Sequence, residues 1–302
     1  MNLLSDLWKI QKGFGFVNAA NIVLIPTLLR NRALKHRAIL NYLATKYSDI
    51  INTYKLRPKS SENISPNCPI WICWFQGEKQ MPPVVRGCFA SVKRHAKQHP
   101  IYLITLENYK EHVSIPDYII DKLKKGEISY TLFSDILRNT LLADKGGIWL
   151  DATIYLTQDW NDLDLPFYTI KQNRPDDHVF VSGYRWTGFC MAGGTNSLLN
   201  SFVRDLFNAY FQEEKGMIDY FLIDYIIALG YNYVPEIKNL IDAVPFSCPD
   251  LYYMQQHMAQ PVNEADLERV CLDTFAFKLN WRLQAPADKS SLYYRLRFDK
   301  DA

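Results

Sequence analysis

The sequence predicts an α/β protein with a mostly parallel sheet flanked by helices and preceded by a helical N-terminal extension. Apolar runs at 70–75, 101–106 and 148–150 have the length of strands and contain almost no polar residue. Parallel strands buried on both faces have this pattern. Helical periodicity fills the residues between these runs, and strands that alternate with helices at this spacing are typical of βαβ units. With 302 residues, the chain can bury a sizeable core.

The predicted elements follow from the same two periodicities. A helix covers 39–56, where apolar residues recur at helical spacing, and a polar linker with three prolines covers 57–69. Further helices are predicted at 83–97, 117–125, 131–145, 197–212 and 217–229, with Gly126 and Gly230 as C-terminal stops, and short strands at 178–183 and 187–193. These boundaries predict a basic helical segment at 1–60, a main domain at 68–285 and a basic, aromatic tail at 286–302.

Charge is unevenly spread along the chain. Residues 1–60 contain ten Lys or Arg and two acids, a balance of +8, whereas the whole chain carries +2 and the remainder therefore −6. The small total argues against a nucleic-acid-binding protein, and the basic end suggests contact with an anionic surface. The apolar stretch 14–29 is flanked by basic residues, which fits a segment lying in a membrane interface. Helices packed on the body, or a dimerisation surface, fit equally well.

Several other function classes are disfavoured. No stretch reaches about 18 apolar residues, so no transmembrane helix is predicted, and the first residues lack the pattern of a cleavable secretory signal. The six cysteines include no CxxC pair and are interpreted as reduced thiols of a cytosolic protein. Neither GxGxxG nor GxxxxGK[ST] occurs, so dehydrogenase and P-loop functions lack their phosphate-binding loops.

The stretch SDILRNTLLADKGGIWLDAT, residues 134–153, carries the most informative polar residues. Asp135 and Arg138 are three apart on the predicted helix and share one face. That helix is apolar on several sides, so the pair needs partners that a surface ion pair would not need. Asp151 follows the next strand, at the edge where open α/β sheets bind ligands. We therefore interpret the three charged residues as parts of a ligand site, although a turn or a helix cap would also accept an aspartate.

These motifs resemble a known enzyme family. SDILR followed by GGIWLDAT is similar to the core of sugar-nucleotide-dependent glycosyltransferases of the GT-A fold. More closely, the chain resembles the bacterial capsular polysaccharide synthesis protein family, over roughly residues 68–282; the shared segments are WICWFQG, PPVVRGCFASVKR, SDILR, GGIWLDAT, DYFLIDYI and FKLNW. The resemblance implies a GT-A type fold and transfer of a hexose, with retention, from a UDP-linked donor to a lipid-linked oligosaccharide acceptor of a capsular or other surface polysaccharide. The protein would then be cytoplasmic and peripheral at the inner membrane face.

The resemblance also implies roles for individual residues. Trp74 would stack on the nucleotide base, Asp135 would contact the ribose or donor sugar, and Arg138 would contact the donor sugar or phosphate. Guanidinium suits that work, because its planar fork binds pairs of oxygen atoms. Asp151 would be both a donor-binding and a catalytic residue.

The sequence departs from the family pattern at the metal-binding motif. Most of the similar enzymes carry DxD, whose last aspartate ligates Mn²⁺ or Mg²⁺, whereas this chain has Asp151-Ala152-Thr153. A neutral hydroxyl is a poor ligand for these cations. Either Asp151 holds a weak metal with water, or Lys278 or Arg282 supplies positive charge to the leaving diphosphate directly.

The catalytic base and the rival function complete the expectations. Asp219 and Asp224 are candidate bases, and Asp224 is preferred because it lies in an apolar run. The alternative function is a non-catalytic scaffold or glycan-binding subunit of a synthesis complex, which the missing second acid of the motif favours. The expected partners are the nucleotide-sugar donor, the glycan acceptor, an anionic membrane surface and, for the N-terminal segment, a second copy of the chain.

Overall fold

The computed structural model describes residues 3–57, 62–161, 163–176, 178–296 and 298. Its strands are β1 Ile70–Cys73, β2 Ile101–Ile104, β3 Gly147–Leu150, β4 Ile154–Leu156, β5 Phe167–Thr169, β6 Cys190–Gly193 and β7 Ala276–Lys278. Within the described residues, five strands form a central sheet in the order β2-β1-β3-β6-β5, and β4 pairs with β7 in a second, two-stranded sheet.

The central sheet is mostly parallel. Strand β1 pairs in parallel with β2, where Ile70 lies opposite Ile101, and with β3, where Ile70 lies opposite Ile148. Strand β6 runs antiparallel to both β3 and β5, so it alone is reversed among the strands of this sheet in the described chain. The expected α/β class, with a mostly parallel sheet flanked by helices and a helical N-terminal extension, is confirmed.

Helices cover both faces of this sheet and form the N-terminal extension. They are α1 Leu3–Phe14, α2 Phe16–Ala19, α3 Ile25–Leu28, α4 Arg32–Lys46, α5 Ser48–Lys55, α6 Pro83–His95, α7 Tyr109–His112, α8 Asp117–Lys124, α9 Tyr130–Lys145, α10 Leu198–Glu213, α11 Leu222–Tyr233, α12 Pro235–Ala243, α13 Tyr253–His257, α14 Glu264–Asp273 and α15 Leu292–Arg295. A π-helical turn, Ala20–Leu24, joins α2 to α3, and a 3₁₀ turn covers Glu78–Gln80.

Helix α9 and the glycine pair after it position β3. The hydroxyl of Ser129 accepts a hydrogen bond from the Leu132 amide and caps the helix, which ends at Gly146 (φ 66°). Gly147 has φ 108°, and a Cβ there would lie 2.5 Å from the carbonyl oxygen of Pro69. The indole of Trp71 donates to the Gly146 carbonyl at 2.9 Å. Only glycine allows β3 to enter the sheet this close to its neighbour.

Three predicted elements are wrong in detail. The helix expected over 39–56 is two helices, broken at the buried Tyr47, because that side chain turns into the core against α10. Residues 178–183 form turns and lie outside the sheet, and the apolar side chain of Phe180 there is 45% exposed. No neighbouring strand pairs with this run among the described residues, so its apolar alternation does not produce a strand.

The helix expected over 217–229 begins at Leu222 and passes through Gly230 to Tyr233, so Gly230 is not its C-terminal stop. A Cβ on Gly230 would lie 3.1 Å from Ile237 and 3.2 Å from Phe202. The glycine therefore serves close packing between α11 and its neighbours.

The N-terminal extension packs on the body through α4 and α5. Ile39 and Leu43 are fully buried and share the core of the central sheet. The carboxylate of Glu214 accepts hydrogen bonds from the Tyr42 hydroxyl and the Lys46 ammonium, both at 2.7 Å. The outer part of the extension is different, since six large apolar side chains there are more than 60% exposed: Leu4, Trp8, Phe16, Val17, Leu28 and Leu29. Within the described ranges, no helix combines the length and the apolar character needed to cross a membrane.

The C-terminal residues form a second, smaller core. Tyr293 and Phe298 are buried against Val84 of α6 and Phe277 of β7. Residues 297 and 299–302 of the expected tail, like residues 1, 2 and 58–60 of the expected N-terminal segment, lie outside the described residues. The domain boundaries near residues 60, 68 and 285 stay predictions.

Candidate functional site

Asp151 is the centre of a group of charged side chains at the carboxyl end of β3. Its Oδ1 accepts hydrogen bonds from Arg138 Nη2 and from the indole of Trp149, each at 3.0 Å. Its Oδ2 accepts from the ammonium of Lys278 at 2.9 Å. Burial alone would raise the pKa of Asp151, but the positive charges of Lys278 and Arg138 outweigh burial and lower the pKa to about 2. Asp151 is therefore ionised at any physiological pH.

Arg138 bridges two aspartates from the buried face of α9. Its Nη1 lies 3.1 Å from Asp135 Oδ1 and its Nη2 lies 3.0 Å from Asp151 Oδ1. The guanidinium carbon lies 5.1 Å from the ring centroid of Trp149, and the side chain is only 5% exposed. Arg138 Nε is buried and has no hydrogen-bond partner among the described residues. A planar fork can join two carboxylates in this way, whereas a single ammonium could not keep the same geometry.

Gly188 leaves the room that this guanidinium needs. A Cβ on Gly188 would lie 2.8 Å from Arg138 Nη1. The residue lies shortly before β6, the strand that pairs with β3. Sequence analysis did not identify Gly188, because its role depends on a contact with a residue far earlier in the chain.

Asp135 and Asp224 are partly buried acids with raised pKa values. Burial raises the pKa of Asp135 to about 7, with Arg138 opposing the shift and the charges of Asp151 and Asp224 adding to it. Burial likewise raises the pKa of Asp224 to about 6, against the effects of a hydrogen bond from Trp186 and of Arg138. A Cβ on Gly188 would lie 2.8 Å from Arg138 Nη1 and 3.8 Å from the side chain of Ile223, the neighbour of Asp224, so the start of α11 lies beside Arg138. Each of the two acids can hold or release a proton near neutral pH.

Helix α11 positions Asp224 in its first turn. The indole of Trp186 donates to Asp224 Oδ1 at 2.9 Å, and the Trp186 ring is almost fully buried. Asp219, the other candidate base, has a different partner, since its carboxylate lies 2.7 Å from the ammonium of Lys35 in the N-terminal extension. Sequence analysis missed Trp186, which no motif distinguishes from a core aromatic.

Lys278 reaches the cluster from the opposite end of the sequence. Its ammonium lies 2.9 Å from Asp151 Oδ2 and 2.7 Å from the hydroxyl of Thr153. It also lies 4.8 Å from the ring centroid of Phe189. Arg282, the other candidate cation, instead stacks on Trp281 at 4.7 Å, and among the described residues no contact joins it to Asp151.

Two tryptophans lie together near the carboxyl end of β1. Trp74 follows β1, and its indole donates to the Gln80 carbonyl at 3.3 Å. Its ring meets that of Trp281 edge to face, with centroids 6.2 Å apart. Burial, and after it the charge of Asp151, raise the pKa of the Cys73 thiol, so the end of β1 lies near Asp151. Trp281 is 42% exposed; the FKLNW segment marked this region, although sequence analysis did not single out Trp281.

The structure thus brings together five of the residues predicted from the sequence: Asp135, Arg138, Asp151, Asp224 and Lys278. Trp74 lies at the same sheet edge. Asp219 and Arg282 have other partners. The arrangement offers two fixed cations, one permanently ionised carboxylate and two acids that exchange protons near neutral pH. Which of these residues bind a donor or act in catalysis stays a prediction.

A match to a family model agrees with the resemblance found in the sequence. The model of the family described as capsular polysaccharide synthesis protein matches residues 22–296. A structure described as PaToxG glycosyltransferase is similar at 14% identity and a TM-score of 0.44, over 80% of this chain and 99% of that chain. The structure of the WbbM bifunctional glycosyltransferase without ligand is similar at 9% identity and a TM-score of 0.41, over 80% of this chain and 50% of that chain. No curated protein matches the sequence.

Proposed function

The chain belongs to the capsular polysaccharide synthesis protein family, and from that premise we propose that it is a glycosyltransferase. It moves a hexose from a nucleotide-diphosphate sugar to a glycan acceptor of a capsular or other surface polysaccharide. The observation that carries this proposal is the position of Asp151, held between Arg138 and Lys278 at the carboxyl end of the middle strand of the sheet. Ligands of open α/β sheets bind at this edge.

The proposed donor is UDP-linked and lies between Trp74 and the charged cluster. Trp74 offers an aromatic face to the base. Arg138 uses two of its five N–H groups on Asp135 and Asp151, so others remain for donor oxygens. Asp135, which carries a proton for much of the time at neutral pH, can both donate and accept a hydrogen bond to a sugar hydroxyl.

The proposed transfer retains the configuration at the anomeric carbon. The acceptor hydroxyl must lose a proton as it attacks, and the leaving diphosphate must have its growing negative charge compensated. Asp224, with a pKa of about 6, is the proposed acceptor of that proton, directly or through water. Its fixed hydrogen bond from Trp186 keeps one carboxylate oxygen in place and leaves the other for the reaction.

The proposed acceptor is a lipid-linked oligosaccharide at the cytoplasmic face of a membrane. The exposed apolar side chains of the N-terminal extension support this, because water-exposed groups such as Trp8 and Leu28 gain by entering a membrane interface. Five basic residues of the same segment are exposed and make no ion pair with a described residue: Lys9, Lys12, Arg30, Arg32 and Arg37. Each such residue near anionic lipid contributes roughly 1 kcal/mol. A homodimer that buries the same surface is the alternative partner.

Binding and turnover of nucleotide sugars test the proposed function. Calorimetry with UDP, GDP and CMP and with their common hexose conjugates should show selective binding of one nucleotide, and a glycan acceptor should then release that nucleotide. Arg138→Lys should weaken donor binding by about 10- to 100-fold, since it removes a charge-assisted fork. The matched control is Arg204→Lys. Arg204 lies outside the cluster, and its Nη1 is 2.6 Å from the Asp144 carboxylate. A folded protein that binds the nucleotide sugar without any transfer would favour the scaffold function, and one that binds none would contradict the proposal.

A further inference from the structure

We propose that the ammonium of Lys278 lies where a metal ion would lie in relatives with two acids in this motif, so that the protein binds its donor diphosphate without a divalent cation. This inference rests on the proposed function, since it assigns the group that meets the diphosphate of the donor. It names a donor-binding role for a lysine at the far end of the chain.

The contacts of Lys278 support this placement. Its Nζ lies 2.9 Å from Asp151 Oδ2 and 2.7 Å from Thr153 Oγ1, so it joins the first and third residues of the motif. In most of the similar enzymes, as the resemblance implies, these two positions carry the aspartates of DxD. An ammonium group has three N–H bonds. These two contacts use two of them, and the side chain is still 21% exposed, so the third remains for a ligand oxygen.

The backbone holds Lys278 in position. Strand β7 pairs antiparallel with β4, and Lys278 lies opposite Ile154 in that ladder. The amide of Lys278 donates to the Leu251 carbonyl, and the amide of Leu279 donates to the Thr153 carbonyl, both at 2.9 Å. A lysine fixed by strand pairing beside the motif is preorganised, unlike a lysine on a mobile surface loop. Preorganised charge is what the stabilisation of a leaving diphosphate requires.

The same residues do not fit a divalent metal ion. A carboxylate offers about four lone-pair positions, and three of those on Asp151 are taken by Arg138, Trp149 and Lys278. The Thr153 hydroxyl already accepts from Lys278. Mg²⁺ and Mn²⁺ bind anionic oxygens at about 2.1 Å, and an ion at Asp151 Oδ2 would meet the positive charge of Lys278 beside it. In the part of the chain that the structure describes, no group of three or more His, Cys, Asp or Glu side chains could hold a metal.

A purely structural ion pair is the rival explanation for the Lys278–Asp151 contact. Such a pair would stabilise the fold and leave donor affinity unchanged once the protein is folded. The proposed role, in contrast, requires the positive charge at the moment of donor binding. Donor affinity and metal dependence therefore separate the two explanations.

The first experiment compares wild-type protein in EDTA with wild-type protein in Mg²⁺ or Mn²⁺. Donor affinity and transfer should agree within about twofold, since Lys278 supplies the charge and no ion-binding carboxylate pair exists in the motif. Loss of donor binding in EDTA, restored by the ion, would overturn the proposal for Lys278 and leave the proposed function standing. Absence of donor binding under every condition would instead overturn the proposed function.

The second experiment changes the charge. Lys278→Met should weaken donor binding by about 10- to 100-fold, in protein shown to be folded by its thermal transition. The control is Lys93→Met, which removes a surface lysine paired with Glu78 at 2.7 Å and should leave affinity unchanged. Wild-type affinity in Lys278→Met would refute the role of Lys278.

The third experiment replaces the lysine by a second acid that can bind a metal ion. The double variant Lys278→Ala, Thr153→Asp removes the ammonium and restores a second acid to the motif. Its donor binding should require Mn²⁺, which the wild type does not need. Equal binding of the donor with and without Mn²⁺ in this variant would show that the donor diphosphate is met neither by the Lys278 ammonium nor by a metal ion at this motif. That result would overturn the proposal.

Discussion

Replacing Asp224 with asparagine should change how the stability of the protein depends on pH. Asp224 has an ordinary pKa of 3.8 in the unfolded chain and a pKa of about 6 in the folded protein, because it is buried. A raised pKa means that the folded state keeps the proton after the unfolded state has lost it. The contribution of Asp224 to stability is therefore fully present below pH 3.8 and is lost as the pH rises through about 6.

The size of the change in the free energy of unfolding follows from the shift in the pKa of Asp224. Each pH unit between the two pKa values changes the free energy of unfolding by about 1.4 kcal/mol. From about pH 4.5 to about pH 7.5, the wild type should lose about 2 kcal/mol through Asp224 alone. The asparagine side chain of the variant does not titrate, and its oxygen can still accept the hydrogen bond that Trp186 donates to Asp224. The stability of the variant relative to the wild type should therefore rise by about 2 kcal/mol across that range.

Urea unfolding at several pH values measures this difference. Burial also raises the pKa of Asp135, to about 7. The free energy of unfolding of both proteins should therefore fall through Asp135 as the pH rises to about that value. The difference between them reports Asp224 together with the part of the Asp135 shift that the charge of Asp224 causes. The control is Asp121→Asn, which makes the same change at a side chain that is 60% exposed. A stability difference between Asp224→Asn and wild type that stays constant with pH would refute the assignment of a buried, proton-holding acid at this position.

Two further predictions concern the packing of Arg138 and the N-terminal surface. Gly188→Ala should displace the guanidinium of Arg138, lower the free energy of unfolding by about 1–3 kcal/mol and weaken donor binding; Gly216→Ala, where a Cβ meets nothing within 4 Å, is the control. Unchanged urea unfolding and donor affinity in Gly188→Ala would contradict the contact. The double variant Trp8→Ser, Leu28→Ser should lose at least about tenfold in sedimentation with phosphatidylserine-containing vesicles, because each side chain is more than 60% exposed and available for the interface. Sedimentation equal to that of wild type would assign this surface to another partner.

The extent to which the sequence predicts this site depends on distance along the chain. Asp135, Arg138 and Asp151 lie within one helix-turn-strand unit, so periodicity alone places them near each other. Lys278 lies 127 residues after Asp151 and joins it through the pairing of β4 with β7. No periodicity predicts that pairing; the only indications in the sequence are the chemical need for a cation and the resemblance of the FKLNW segment.

Local sequence patterns also predict only part of the fold, because contacts between distant residues decide the rest. Strands β1 and β3 were predictable because both of their faces are covered, which gives continuous apolar runs. Strand β2 was predictable from its apolar run as well, although it lies at the edge of the sheet and Tyr102 is 40% exposed. Residues 178–183 have a similar composition but find no partner strand in the described chain, so they form turns. Gly230 has the local signature of a helix stop, yet it lies inside α11 because Ile237 and Phe202 press against it. In both cases a tertiary contact, or the lack of one, decides against the local pattern.

The pairing of β4 with β7 has a consequence for the order in which this protein matures. The ribosome makes Asp151, Arg138 and the central sheet well before it makes Lys278. Chains fold as they emerge, and contacts that close long loops form late. A partly synthesised chain can therefore contain the folded sheet while its charged cluster lacks one of its two cations. If Lys278 meets the diphosphate, the nascent protein binds nucleotide sugar weakly until β7 has docked, so full activity begins only with the completed fold.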